Sequence, residues 1–275
     1  MKIKTLSTIL FLCATMHTAY AQEKEIALTI DDLPFVGTNS ATKGNLGRAH
    51  DRFTKIMNYL IDAHIPATGF IIANSIARGQ WELLEEFRDA GFGLGNHTYS
   101  HANLNRMSAQ RYIAEIEHAD KILQPVMTQP KYFRYPYLAE GRGATKQEVQ
   151  AYLAANHYII APVTVDSKDY YYNQLYLNKH WRVRHQYLDG IKRKYLDHIW
   201  RQTEKAEKRS KDGNSVQILL VHSNLLNSEC LDDVIQMYKD HGYKFVTLKE
   251  ALEHQANMGP TIEARHRKYP RLSFQ

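Results

Sequence analysis

The chain is poor in cysteine. Cys13 and Cys230 are its two cysteines among 275 residues. Cys13 lies in an N-terminal stretch that reads as a cleaved leader, which leaves Cys230 alone and rules out an intramolecular disulfide in the mature chain. A residue as bulky as Leu12 before Cys13 also argues against lipid attachment there. Long apolar runs are lacking too. Residues 6–14 form an apolar stretch behind Lys2 and Lys4, too short to span a bilayer as a mature helix. Ala19-Tyr20-Ala21 follows as a small-x-small cleavage signal, so residues 1–21 are expected to be a signal peptide and the protein to be exported, to the periplasm or beyond the cell, with no stable membrane anchor. Charge of one sign is also scarce. Lys and Arg number 35 against 29 Asp and Glu, and without Lys2 and Lys4 the formal balance is +4. That excess is too small and too diffuse to point to a nucleic-acid partner.

What remains is long enough for one large α/β domain with a substantial core. Its most telling stretch is Glu25-Ile26-Ala27-Leu28-Thr29-Ile30-Asp31-Asp32-Leu33-Pro34, an apolar segment ending in two carboxylates before a proline that cannot continue a ladder. Alone, such a pair also reads as a plain strand-to-turn junction. Strands are further expected at 67–73, 92–95, 131–135, 158–165, 215–221 and 244–246. Helices are expected at 46–63, 81–90, 109–123, 146–155 and 231–240. Repeated strand–helix units with near-continuous apolar strands predict a parallel sheet covered by helices, closed or partly closed into a barrel. In such barrels the chemistry gathers at the carboxyl ends of the strands. The Asp31-Asp32 pair, His97, Arg134, Asp166 and His222 all fall at such ends.

One stretch breaks the rhythm. Between Asp169 and Val216 the chain is rich in Tyr, Trp, Lys and Arg, with Tyr170, Tyr171, Tyr172, Tyr176 and Trp181 at its start. Leu188, Ile191, Tyr195 and Ile199 then follow helical spacing. A helical insertion or lid at about 170–214 is expected, its helix packed on the barrel, its tyrosines serving either sugar contact or packing. The tail 259–275 is basic and expected to be mobile.

His97 and His101 stand four apart behind a glycine-punctuated strand, and so in a loop or a first helical turn. As residues alone they suit either a polar structural role or, with a carboxylate, a site for zinc, cobalt, nickel or iron. The ordered set Thr29-Ile30-Asp31-Asp32, Asn96-His97-Thr98-Tyr99-Ser100-His101, Phe133-Arg134-Tyr135-Pro136-Tyr137, Val165 to Tyr170 and Leu220-Val221-His222 resembles the five motifs of the polysaccharide deacetylases, the NodB-like carbohydrate esterases. The resemblance covers about 26–252. It implies an α/β fold, a distorted (β/α) barrel of the polysaccharide deacetylase type, with the helical insertion before its last strands and a catalytic domain over 22–258.

The resemblance also implies roles. Asp32, His97 and His101 would hold a divalent metal, zinc first, with cobalt or nickel as alternatives. Asp31 would be the general base toward water, and His222 the general acid toward the leaving amine. The Tyr137 backbone N–H would stabilise the oxyanion. Arg134 would orient Asp31, and Asp169 would pair with Arg134 or tune His222. The implied reaction is removal of N-acetyl groups from an acetylated carbohydrate. An O-acetyl esterase, or a carbohydrate-binding protein without turnover, is the alternative. Leu33-Pro34, Leu138 and Tyr170 depart from the residues common in the family, which leaves the substrate open.

Overall fold

The computed structural model describes residues 23–35, 43–77, 79–209 and 216–257. The expected signal peptide at 1–21 and the basic tail at 259–275 lie outside the described residues. Eight parallel strands form one curled sheet: β1 (Lys24–Leu33), β2 (Ala67–Ile71), β3 (Gly93–Asn96), β4 (Tyr132–Phe133), β5 (Ile159–Ile160), β6 (Val165–Asp166), β7 (Val216–His222) and β8 (Tyr243–Phe245). Their order is β5-β4-β3-β2-β1-β7-β6, and β8 pairs with the start of β1. The helices are α1 (Lys43–Asp62), α2 (Trp81–Asp89), α3 (Ala109–Leu123), α4 (Gly143–Ala155), α5 (Asp169–Leu177), α6 (Leu188–Arg209), α7 (Asn227–Asp240) and α8 (Leu248–Asn257). Among the described residues no helix is long and apolar enough to cross a membrane.

β1 is the spine. Residues 27–31 are all buried, as a strand covered on both faces requires. It pairs with β7 from Glu25↔Val216 to Asp31↔His222, so the last pair of that ladder sets a carboxylate beside an imidazole. On its other side the register with β2 shifts between Ile30 and Leu33, and Asp32 takes φ +62°. Successive strand residues point to opposite faces. This bulge lets Asp31 and Asp32 serve the same site.

The helices bury apolar stripes against the sheet. α3 starts at Ser108, whose side chain accepts the Arg111 N–H (3.4 Å), and buries Tyr112, Ile116, Ala119 and Leu123, one face of a 3.6-residue period. Close strand packing explains Gly95, where a Cβ would come within 2.9 Å of the Phe70 ring and the Tyr132 carbonyl oxygen.

The expected strand over 158–165 does not form as one element. Residues 159–160 pair with β4 and residues 165–166 with β7, at opposite edges of the sheet. Pro162 between them has no N–H to give a ladder, and the barrel stays open there. The Arg134 guanidinium occupies the seam: Nε donates to Ala161 O (3.2 Å) and Nη2 to Pro162 O (3.2 Å).

The helical stretch after β6 divides in two. α6 buries Leu188, Ile191, Tyr195, Ile199, Thr203 and Ala206 and joins the main core, as the packing expectation has it. Tyr172 and Tyr176 are buried with it, while Tyr170, Tyr171 and Trp181 are exposed.

Candidate active site

Asp31, Asp32, His97, Arg134, Asp169 and His222 meet at the carboxyl end of the sheet. The His97–His101 segment is a loop, with Thr98 at φ +66° and His101 at φ +58°. Asn96 steadies it from below, its Oδ1 accepting the Thr98 N–H at 2.8 Å, while Thr98 Oγ1 accepts the Ala102 N–H at 3.0 Å. Left-handed conformations at ordinary residues persist only where surrounding bonds over-determine them, and they concentrate at functional sites.

Asp32, His97 and His101 offer ligand atoms that all lie within 4.8 Å of one another. Asp32 Oδ1 is 3.5 Å from His97 Nε2 and 3.3 Å from His101 Nε2. His97 Nδ1 lies 2.8 Å from the Arg134 carbonyl oxygen, an acceptor, so Nδ1 carries a hydrogen and Nε2 is the nitrogen that faces Asp32. Burial pushes the His101 imidazolium down to about 4, against the pull of the Asp32 carboxylate, so the ring is neutral at neutral pH. Asp32 Oδ1 is buried without a hydrogen-bond partner. A buried carboxylate oxygen left open beside two imidazole nitrogens fits a divalent cation.

Asp31 is buried next to this group, with Oδ2 3.7 Å from His97 Nε2. Its Oδ1 accepts from Arg134 Nη1 at 2.9 Å. Arg134 is fully buried, lies 4.3 Å from the Phe70 ring centroid and also donates from Nη1 to Thr29 Oγ1 (2.6 Å). Thr29 in turn donates to Leu219 O (2.6 Å). Burial lowers the pKa of Arg134, and the charge and hydrogen bond of Asp31 offset only part of that.

Asp169 does not reach Arg134. It is fully buried and holds His222 by two bonds, Oδ2 from the His222 backbone N–H (2.6 Å) and Oδ1 with Nδ1 (2.7 Å). Oδ2 also accepts from Asn224 Nδ2 (2.8 Å) and Asn227 Nδ2 (2.6 Å), and Oδ1 from the Tyr170 N–H (2.9 Å). Tyr195 OH donates to Asn227 Oδ1 at 2.9 Å, tying this group to α6. Burial by itself pushes the His222 imidazolium down. The charge and hydrogen bond of Asp169 overrule it, with Asp32 and Asp31 adding, and its pKa rises to about 10. The ring is therefore protonated at neutral pH.

Tyr137 sits at φ +57° with its ring centroid 4.4 Å from that of His101, and Leu138 at φ +52°; both are exposed at the mouth of the site. Asp166 turns away. Its Oδ1 accepts the Lys168 N–H (3.0 Å) and Oδ2 meets Lys168 Nζ (2.9 Å), so it secures a turn and does not cap α5. Cys230 is buried, with Sγ 3.1 Å from Leu226 O, and burial pushes its thiol pKa up, away from nucleophilic use.

The profile of the polysaccharide deacetylases matches residues 19–156, half of the chain. The chain belongs to the polysaccharide deacetylase family. A chitin deacetylase of Colletotrichum lindemuthianum is 28% identical over 154 residues, 54% of this chain and 54% of that protein. The chain spans about half or less of the length of the curated relatives it matches, and a peptidoglycan-N-acetylglucosamine deacetylase of Bacillus cereus is 26% identical over 53% of this chain and 46% of that protein. Among solved structures, a CE4 family pseudoenzyme from Bacillus anthracis aligns with TM-score 0.60 at 19% identity, covering 84% of this chain and 66% of that one. The curled, open parallel barrel is thus shared with other members of the family.

Four contributors carry no site role in the sequence analysis: Thr29, Asn224, Asn227 and Tyr195. Thr29 is a hydroxyl inside an apolar strand, and Asn224 and Asn227 are amides directly after His222. Both are detectable signals, since a polar group in a run expected to be buried needs a partner.

Proposed function

We propose that the chain is an exported metal-dependent hydrolase that removes N-acetyl groups from a sugar polymer or oligosaccharide. The carrying observation is Asp31, buried between the Arg134 guanidinium and the Asp32–His97–His101 group, with the protonated His222 on the adjacent strand. Asp32, His97 and His101 would hold a divalent ion, zinc first, which would supply Lewis acidity toward the acetyl carbonyl and lower the pKa of water from about 15.7 toward about 7. Asp31, held in place by its hydrogen bond from Arg134, accepts one proton from the water whose oxygen attacks the acetyl carbon. The Tyr137 backbone N–H donates to the carbonyl oxygen as it gains charge. His222, its Nδ1 taken by Asp169, gives the proton on Nε2 to the sugar nitrogen as the C–N bond breaks, leaving acetate and a free amine.

A protein that binds carbohydrate without turnover is the second reading, favoured by the likeness to a pseudoenzyme. Asp31 and His222 argue against it, because binding alone needs neither a base nor an acid. The test is acetate release by the chain starting at Gln22 from chitooligosaccharides, peptidoglycan and acetylated xylan, with zinc or cobalt and with a chelator. Chelator-sensitive release from an N-acetylated substrate is expected. Release from xylan alone would make it an O-acetyl esterase. Silence with metal bound would leave the binding role.

A further inference from the structure

α5 presents two unlike faces. Tyr172, Asn173 and Tyr176 are buried, while Tyr170, Tyr171, Gln174, Leu177 and Asn178 are exposed along one stripe. At 1.5 Å per residue the helix carries that stripe about 13 Å from its first turn. The first turn adjoins the catalytic group, where the Tyr170 ring stands edge-on to His222 with centroids 6.4 Å apart. Gln174 Nε2 donates to Asn178 Oδ1 at 2.7 Å, and both side chains are exposed.

Following α5 in the chain, Trp181, the most exposed large hydrophobic side chain described, and Tyr187 are exposed too. Each ring carries a cation: Arg182 lies 5.0 Å from the Trp181 centroid and Lys179 Nζ 4.6 Å from that of Tyr187. Arg184 braces the turn beneath, donating to Lys179 O (3.3 Å) and Leu177 O (3.2 Å). Residues 170–187 contain no Asp or Glu. No carboxylate of this stretch therefore neutralises those cations, and exposed rings with cations over their faces can serve as ligand-stacking positions.

We propose that residues 170–187 form a second glycan-binding surface that takes acidic sugar chains, rings stacking on Trp181 and Tyr187 while sugar carboxylates meet Lys179 and Arg182. Exposed rings, exposed amides and cations that no carboxylate of the stretch neutralises match a chain of pyranose rings bearing carboxylates. A neutral glycan would leave the cations without a counter-charge, and a polyanion lacking rings would leave the aromatics unused. The surface rests on the deacetylase reading only in lying beside the cleft, where it would select acidic polymers for the catalytic group.

The test is affinity electrophoresis of the mature full chain through gels containing polygalacturonate, with neutral hydroxyethylcellulose as comparison. Polygalacturonate carries no acetyl group, so failure of the hydrolase reading leaves the result intact. Retardation by polygalacturonate well beyond that by the neutral polymer is expected. Trp181→Ala, which changes no charge, should weaken it roughly three- to tenfold. Lys179→Gln with Arg182→Gln should weaken it further and flatten its salt dependence. Lys244→Gln with Lys249→Gln removes the same charge at β8 and α8, by the opposite end of β1, and should change little. Equal retardation by both polymers, no retardation, indifference to Trp181→Ala, or equal loss in the β8–α8 control each overturns the proposal. Because Trp181 and Arg182 are exposed, unchanged thermal melting of the variants is expected, and binding is compared between variants that pass that check.

Discussion

On one side of the cleft Asp32 Oδ1 is buried without a hydrogen-bond partner, with two imidazole nitrogens within 3.5 Å. On the other, Asp169 accepts five hydrogen bonds through its two oxygens. The first half is set at the end of β1 and in the loop after β3, the second at the start of α5 and the end of β7, and they are built oppositely. The first is left incomplete, which is what a ligand set for a cation requires. The second is complete without a ligand, which is what holding one protonated imidazole in one orientation requires. Asp31 stands between them, with one oxygen on Arg134 and the other toward His97. A functional site can therefore be read from where satisfaction stops as well as from where it is excessive.

The comparison can be broken most forcefully at its junction. Arg134→Met leaves the Asp31 carboxylate buried and unpaired, and should cost about 3–5 kcal/mol of stability, read as a lowered midpoint in denaturant, together with loss of acetate release. Asp31→Asn should keep bound metal, checked by elemental analysis of the purified protein, and lower kcat by roughly 10²–10⁴-fold. Loss of the metal in that variant would show that Asp31 belongs to the ligand half.

Asp169→Asn addresses the satisfied half. With His222 at about 10, the alkaline limb of the pH–rate profile should lie near that value, and the variant should move it down toward the ordinary histidine value of about 6.5. The linkage has a sign. A pKa raised on folding contributes stability fully present below about 6.5 and lost as pH rises through about 10. Melting temperature should therefore decline over that window in the native chain and decline less in Asp169→Asn. An unmoved limb would remove His222 from the rate-determining proton transfer. The smallest effect is expected for Asn224→Ala, which deletes one of the five bonds: about 1.5–3 kcal/mol of stability and a minor shift of the same limb.

Some of this was legible in the chain. The strand-ending carboxylates, His97, Arg134 and His222 lie at or directly after strand ends on one face of the sheet, with His101 in the loop after β3, as alternating strands and helices imply for a parallel barrel. The helix at 109–123 is found over Ala109–Leu123, because its apolar spacing and Ser108 cap are local signals. The stretch 158–165 was misread as one strand because apolar content cannot tell a strand from a crossing between two sheet edges. Asn224 and Asn227 were passed over because their shared partner, Asp169, lies more than fifty residues away.

By itself the sequence determined the parallel, helix-covered architecture and the residue types available for chemistry, since strand and helix periodicity and turn residues act over a few positions. Tertiary structure decided how those residues divide the work. The β1 bulge, with Asp32 in the left-handed region, turns neighbouring carboxylates toward one site where a regular strand would part them. The open seam between β5 and β6 leaves carbonyls that hold Arg134 inside the barrel against Asp31, beyond reach of Asp169. Asp169 is left to His222, because a fully buried carboxylate must find its donors among the groups that packing brings to it.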